Sequence, residues 1–100
     1  MNAANQKRIA KMLKALGNPH RLLIFEEIRR AGRRAYAQGH ACFLNTIAER
    51  LEIGAPTISH HLKELVNAGL VVTERDGKFV LCRIDEANVA LLTTYFSEPT

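Results

Sequence analysis

Apolar residues Ile9, Met12, Leu13 and Leu16 fall at i, i+3, i+4 and i+7, with Lys7, Arg8, Lys11 and Lys14 on the other side and Gly17 directly after. That spacing predicts an amphipathic helix with a glycine stop. "NPHRLLIFEEIRRAG" predicts a second helix. Asn18 stands as N-cap, Pro19 takes the first helical position, Leu22, Phe25 and Ile28 form the buried stripe, and Gly32 ends the run. "RRAYAQGHACFL" then reads as a basic loop entering a short apolar stretch, with a small strand at Cys42 to Leu44 as one reading of its end.

"NTIAERLEIG" predicts a third, short helix capped by Asn45 or Thr46, the latter with Glu49 three residues on as a capping box. Ile47, Ala48 and Leu51 face inward. Only Glu52, Ile53 and Gly54 separate it from a fourth helix whose first turn holds Pro56, so the two helices must cross steeply, as in a helix-turn-helix. At about 100° per residue, Ile58, Leu62 and Leu65 of "TISHHLKEL" form one apolar stripe, and His60 and Lys63 point away from it. Thr57 and Ser59 flank that free face. His61 lies nearer the stripe, where packing against the turn with a local hydrogen bond is expected. Gly69 closes the helix. "VVTERDGKFVLCRI" predicts a β-hairpin turning at Asp76-Gly77, which pairs Arg75 with Lys78 and Val71 with Cys82. A last helix from about Glu86 to Phe96 carries Val89, Leu91, Leu92, Tyr95 and Phe96, more than one narrow stripe.

Composition adds bounds. One hundred residues, 47% of them hydrophobic, suit a single domain over 1–100 with a modest core, which burial against a partner chain would enlarge. No apolar run reaches the roughly 18 residues of a membrane span, and "MNAANQKRIAK" lacks the apolar centre of a signal peptide, so a cytoplasmic protein without membrane contact is expected. Two cysteines, Cys42 and Cys82, with no CxxC pair fit a reducing compartment. The net charge of +4 divides unevenly: residues 1–50 hold ten Lys/Arg against three acids, +7, and residues 51–100 hold four against seven, −3. Phosphate contacts to a nucleic acid would therefore come largely from outside the fourth helix.

"LGNPHRLLIFEEI", "IAERLEIGAPTISHHLKELVNAGLV" and "ERDGKFVLCRID", in unbroken order over about residues 10–86, resemble the ArsR (ArsR/SmtB) family of bacterial winged helix-turn-helix repressors. The resemblance implies a mainly α fold with a small β-hairpin, homodimeric through terminal helices at about 3–16 and 86–97, with a helix-turn-helix at about 46–68 and a wing at about 71–84. The dimer contacts would come from Ile9, Met12, Leu13, Leu16, Val89, Leu92, Tyr95 and Phe96. The expected DNA-binding set is Ala55, Pro56, Thr57, Ser59, His60 and Lys63 on the recognition helix, with Arg75 and Lys78 on the wing. Thr57, Ser59 and His60 are short groups able to hydrogen-bond base edges or phosphates. Lys63, Arg75 and Lys78 supply charge. The implied function is repression of transcription from an inverted-repeat operator in double-stranded DNA. A winged-helix module for protein contacts is the alternative, since residues 46–65 sum to −1 with neutral histidines.

Members of this family often release DNA on binding a metal. The Cys-x-Cys pair of the arsenic and cadmium sensors matches Phe43 and Asn45 here, and "DEANVALLTTYFSEPT" lacks the histidine of the zinc site on the last helix. No metal or other cofactor is expected. His40 and Cys42 as half of an unorthodox site is outweighed by a surface histidine beside a buried cysteine. Cys42 and Cys82 are also a possible redox pair, the resemblance implying that the Cys42 strand pairs with the returning wing strand; inert core cysteines are the favoured reading. Any other effector is unknown. Arg29, Arg30, Arg33 and Arg34 either neutralise a helix end or touch flanking phosphates. Phosphate loops, GxSxG and HExxH are absent, so no enzyme is expected.

Overall fold

The computed structural model describes residues 2–37 and 42–98. Its elements run α1 Ala3–Leu16, α2 Pro19–Ala37, α3 Leu44–Leu51, α4 Ala55–Asn67, β1 Val71–Asp76, β2 Phe79–Ile84 and α5 Glu86–Ser97. Asn2 caps α1 by accepting from the Asn5 amide at 2.8 Å. Asn18 Oδ1 accepts from the amides of His20 (2.9 Å) and Arg21 (3.1 Å), which satisfies two of the orphan donors at the start of α2. Arg21 Nε donates back to the Ala15 carbonyl at 2.8 Å, fixing the corner between the first two helices.

Helix α2 does not stop at Gly32. It runs on to Ala37 and takes in much of the expected basic loop. A glycine inside a helix costs only about 1 kcal/mol relative to alanine, and the arginines and alanines around it are good helix formers. Nothing lies within 4 Å of a Cβ placed on Gly32, so this glycine marks neither a turn nor a close approach. The stripe is also displaced: Ile24, Phe25 and Ile28 are buried, and Leu22 is exposed.

The expected cap of α3 is likewise moved. The helix begins at Leu44, with Phe43 in extended conformation and no side-chain cap, so neither Asn45 nor Thr46 is the N-cap. Tertiary pairing sets this start, because Phe43 forms an antiparallel bridge with Leu81 of β2. The expected strand at Cys42–Leu44 is reduced to that bridge. Glu52 ends the helix in the left-handed region, φ 55°, and the Ile53 amide reaches the Ala48 carbonyl at 3.0 Å. Gly54 then caps α4.

The hairpin turns one residue later than expected. Asp76 pairs with Phe79 and Val71 with Ile84, so Gly77 and Lys78 are the turn residues, and Arg75 faces Val80. Gly77 at φ +63°, followed by a residue without positive φ, has glycine where a type II′ turn requires it. Because the pairing moves by two residues in all, Val71, Cys82 and Ile84 keep a common face.

Met12, Ile24, Ile28, Ile47, Ile58, Leu65, Leu70 and Val71 are the most deeply buried side chains. Each such residue contributes about 1.5–3 kcal/mol by leaving water. Helix α2 is the central element, packed on α1, α3, α4 and β2. Among the described residues one charged side chain is buried: Glu27 accepts from Arg50 of α3 at 3.0 Å and from Arg30 at 3.3 Å. The end of α4 is fitted equally closely. Gly69 takes φ +81°, and a Cβ there would stand 2.9 Å from Asn88 Nδ2 of α5, which donates to the Gly69 carbonyl.

Candidate nucleic-acid interface

Helix α4 exists because its apolar period closes on one face. Ile58, Leu62 and Leu65 are buried, and Pro56 sits where a missing amide costs nothing. The turn from α3 holds the helix so that its other face stays free. Ala55, Pro56, Thr57, Ser59, His60 and Lys63 are all exposed, as are Arg75 and Lys78 on the hairpin. The expected recognition residues therefore share one accessible surface of α4. Ala55 and Ser59 also line a groove of about 300 Å³ with Lys78, Phe79 and α3 residues. That groove joins the tip of the wing to one flank of α4; Arg75 is not among its lining residues. Lys78 Nζ lies 5.5 Å from the centre of the Phe79 ring, and Phe79 packs edge-on to Phe43 at 5.6 Å.

His61 departs from expectation. Its Nδ1 is buried and has no hydrogen-bond partner among the described residues. The ring instead stacks on His20 of α2, centres 5.7 Å apart and planes at 20°, and lies 5.5 Å from the His60 ring. Burial, then Arg21, His60 and His20, push His61 below the ordinary imidazole value, with Glu64 opposing. No motif announces His20, because only the packing of α2 on α4 brings it to this surface. Glu27 did leave a trace: an acid on the arc of Ile24 and Ile28, with Arg30 one helical turn on.

Backbone pairing places Cys42 opposite Cys82, whose amide donates to the Cys42 carbonyl at 2.8 Å. Both thiols are free. Burial, then Cys42, pushes Cys82 up to about 12. Cys42 is raised by burial and then Glu27, with Arg50 opposing. The reactive thiolate is scarce in such a setting. His40 lies outside the described residues; among those described, no three His, Cys, Asp or Glu residues are grouped to hold a metal ion. Phe43 and Asn45 offer no thiolate.

The terminal helices divide. Ile9, Met12 and Leu92 are buried within their own chain, so they are core, not free faces. Leu16 and Val89 are half-buried. Leu13 (39% exposed), Tyr95 (44%) and Phe96 (66%) carry the apolar surface left in water, with Leu22 and Leu23 of α2 exposed as well. A groove of about 290 Å³ between α1 and α5 includes Ile9, Leu91 and Tyr95 in its lining.

Two helices crossing at a tight turn, followed by a two-stranded hairpin beside the second, define a winged helix-turn-helix protein. The description "Helix-turn-helix domain" belongs to the family model that matches residues 16–74. The chain is 32% identical over 80 residues to the HTH-type transcriptional repressor SmtB of Mycobacterium tuberculosis, covering 80% of this chain and 53% of that one. It is 29% identical over 85 residues to the HTH-type transcriptional regulator NmtR of the same species, covering 85% and 63%. The chain thus spans between half and two thirds of the length of these relatives. The solution structure of the homodimeric winged helix-turn-helix DNA-binding domain of Mb0332 from Mycobacterium bovis superposes with a TM-score of 0.70 at 26% identity, over 94% of this chain and 80% of that one. The chain belongs to the ArsR/SmtB family of transcriptional regulators, which are not enzymes. No helix among the described residues is long and apolar enough to cross a membrane.

Proposed function

We propose that this protein is a sequence-specific DNA-binding repressor acting as a homodimer on an inverted-repeat operator, without the metal sites usual in its family. The observation that carries this reading is the exposed face of α4, where Thr57, Ser59 and His60 stand clear of the core with the wing on one flank. Short hydrogen-bonding side chains on a projecting helix suit base edges in the major groove, and Lys63, Arg75 and Lys78 supply phosphate contacts. In a twofold dimer the two α4 helices would sit about 34–36 Å apart, one turn of DNA. The exposed Leu13, Tyr95 and Phe96 support dimerisation through α1 and α5, and the relatives' names support repression. Cys42 and Cys82 are best taken as core residues, which leaves the effector unassigned.

Selection of genomic fragments by the purified protein, followed by titration at several salt concentrations, tests the proposal. A selected operator bound at least about a thousandfold more tightly than random duplex is expected. Salt-insensitive or absent duplex binding would favour a module for protein contacts.

A further inference from the structure

Helix α4 has two flanks, and the wing occupies only one. With buried Ile58 as reference at about 100° per residue, Ala55 and Ser59 lie near 60° and 100°, on the side that shares a groove with Lys78 and Phe79. His61 lies near 300°, on the opposite side, and there the start of α2 delivers His20 onto its ring. The result is a row of three imidazoles from two helices, in the order His20, His61, His60. The outer two are exposed and the central one is half-buried. The amides of His20 and Arg21 are already taken by Asn18 Oδ1, so the His20 side chain, not the helix end, is what this flank offers to a ligand.

The charges around the row explain what it can do. The helix-turn-helix segment 46–65 sums to −1, and Lys63 is the one full cation among the α4 residues of the candidate face. On α4 itself a polyanion meets a single fixed positive charge, so further cationic contacts come from neighbouring elements. Imidazole can supply such a contact, because its charge changes between pH 5 and 8. Arg21 and His20 from α2 and Glu64 and His60 from α4 face the central ring, and burial, then Arg21, His60 and His20, disfavour its protonated form, with Glu64 opposing. It is thus a flat spacer between the two exposed rings.

Resting on the DNA-binding reading above, we infer that His20 is a DNA-backbone contact on the flank of α4 away from the wing, and that its imidazole takes up a proton when the operator binds. Phosphate beside an imidazolium raises its proton affinity in the complex. The gain is therefore present at low pH and is lost as pH rises. Each linked proton changes affinity by at most about tenfold per pH unit.

The test is titration of the selected operator fragment, and of a random duplex, from pH 6 to pH 8 at constant ionic strength. It is run with the full chain and with His20→Gln, His20→Phe and His20→Arg, together with calorimetry in two buffers of different ionisation enthalpy. The native chain is expected to bind several-fold more tightly at pH 6 than at pH 8, with net proton uptake. His20→Gln and His20→Phe should both lose a large part of that dependence, although Phe preserves the stack. His20→Arg should bind tightly at both pH values. Affinity unchanged from pH 6 to pH 8, or a native profile in His20→Phe, overturns the inference and leaves the DNA-binding reading standing. Absence of operator binding at every pH overturns both.

Discussion

Helices α4 and α5 are of similar length, and each buries part of its surface on the same core, yet they leave opposite kinds of surface in water. Helix α4 hides Ile58, Leu62 and Leu65 and exposes Thr57, Ser59, His60 and Lys63. Helix α5 hides Leu92 and exposes Tyr95 and Phe96. A polar free face is stable in water and ready for a hydrated, charged partner; an apolar free face is a cost that a second chain can remove. On this contrast the two proposed contacts separate: DNA on α4, a second copy on α5.

The buried stripe of α4 carries the largest expected effect. Leu65→Ala should lower stability by about 2–5 kcal/mol, read from the midpoint of denaturant unfolding. An unshifted midpoint would mean that α4 is not anchored in the core. On α5, Phe96→Glu together with Tyr95→Glu should reduce the sedimenting mass from twice 11.2 kDa to the single chain, by placing unpaired charges in the interface. Both positions are exposed within one chain, so the fold should survive, whereas a charge at Leu92 would strike the chain's own core. A native-like mass for the double variant would break the comparison.

Within the α4 surface, His60→Ala should weaken the operator by about 1–3 kcal/mol per lost base contact and leave random duplex nearly unchanged. Lys78→Ala should instead weaken all duplexes and reduce the salt slope by about one. Equal losses on both duplexes for His60→Ala would remove its base-reading role.

A smaller effect concerns His61. Its folded-state titration is lowered from 6.5, so below that pH the unfolded chain binds more protons and stability falls as the solution is acidified. His61→Phe, which keeps an aromatic ring in the stack, should flatten that acid dependence in thermal unfolding. Smallest of all is the cysteine pair. Mild oxidant should leave operator affinity the same for the native chain and for Cys42→Ser, because both thiols are held protonated. A reversible loss confined to the native chain would reinstate a redox switch.

Local chemistry made most of the elements legible in advance. Asn18-Pro19, Gly54 with Pro56, and the 3.6-residue period of Ile58, Leu62 and Leu65 act within one or two helical turns, and the structure keeps all of them. The exposed α4 face was legible for the same reason, since a period that closes on one side leaves the other free. Failures came where a distant strand or helix outvoted a local preference. Phe43 begins α3 because it bridges to Leu81, overriding the Thr46 and Glu49 capping box. Gly32, by contrast, stays helical for a local reason: a cost of about 1 kcal/mol is small beside the helix-forming arginines and alanines around it.

The sequence by itself determined the helix-turn-helix, the presence of a hairpin after it and the polar face of α4, because periodicity and turn residues are properties of neighbours in the chain; the family was legible as a resemblance of whole motifs. Only the tertiary structure decided which apolar residues are core and which are surface, burying Ile9, Met12 and Leu92 while leaving Leu22, Tyr95 and Phe96 in water. It alone set His20 against His61 and closed Glu27 between Arg30 and Arg50. Contacts between His20 and His61, or between Glu27 and Arg50, join residues far apart in the chain. Their geometry is fixed by how whole helices pack, and no local pattern encodes that.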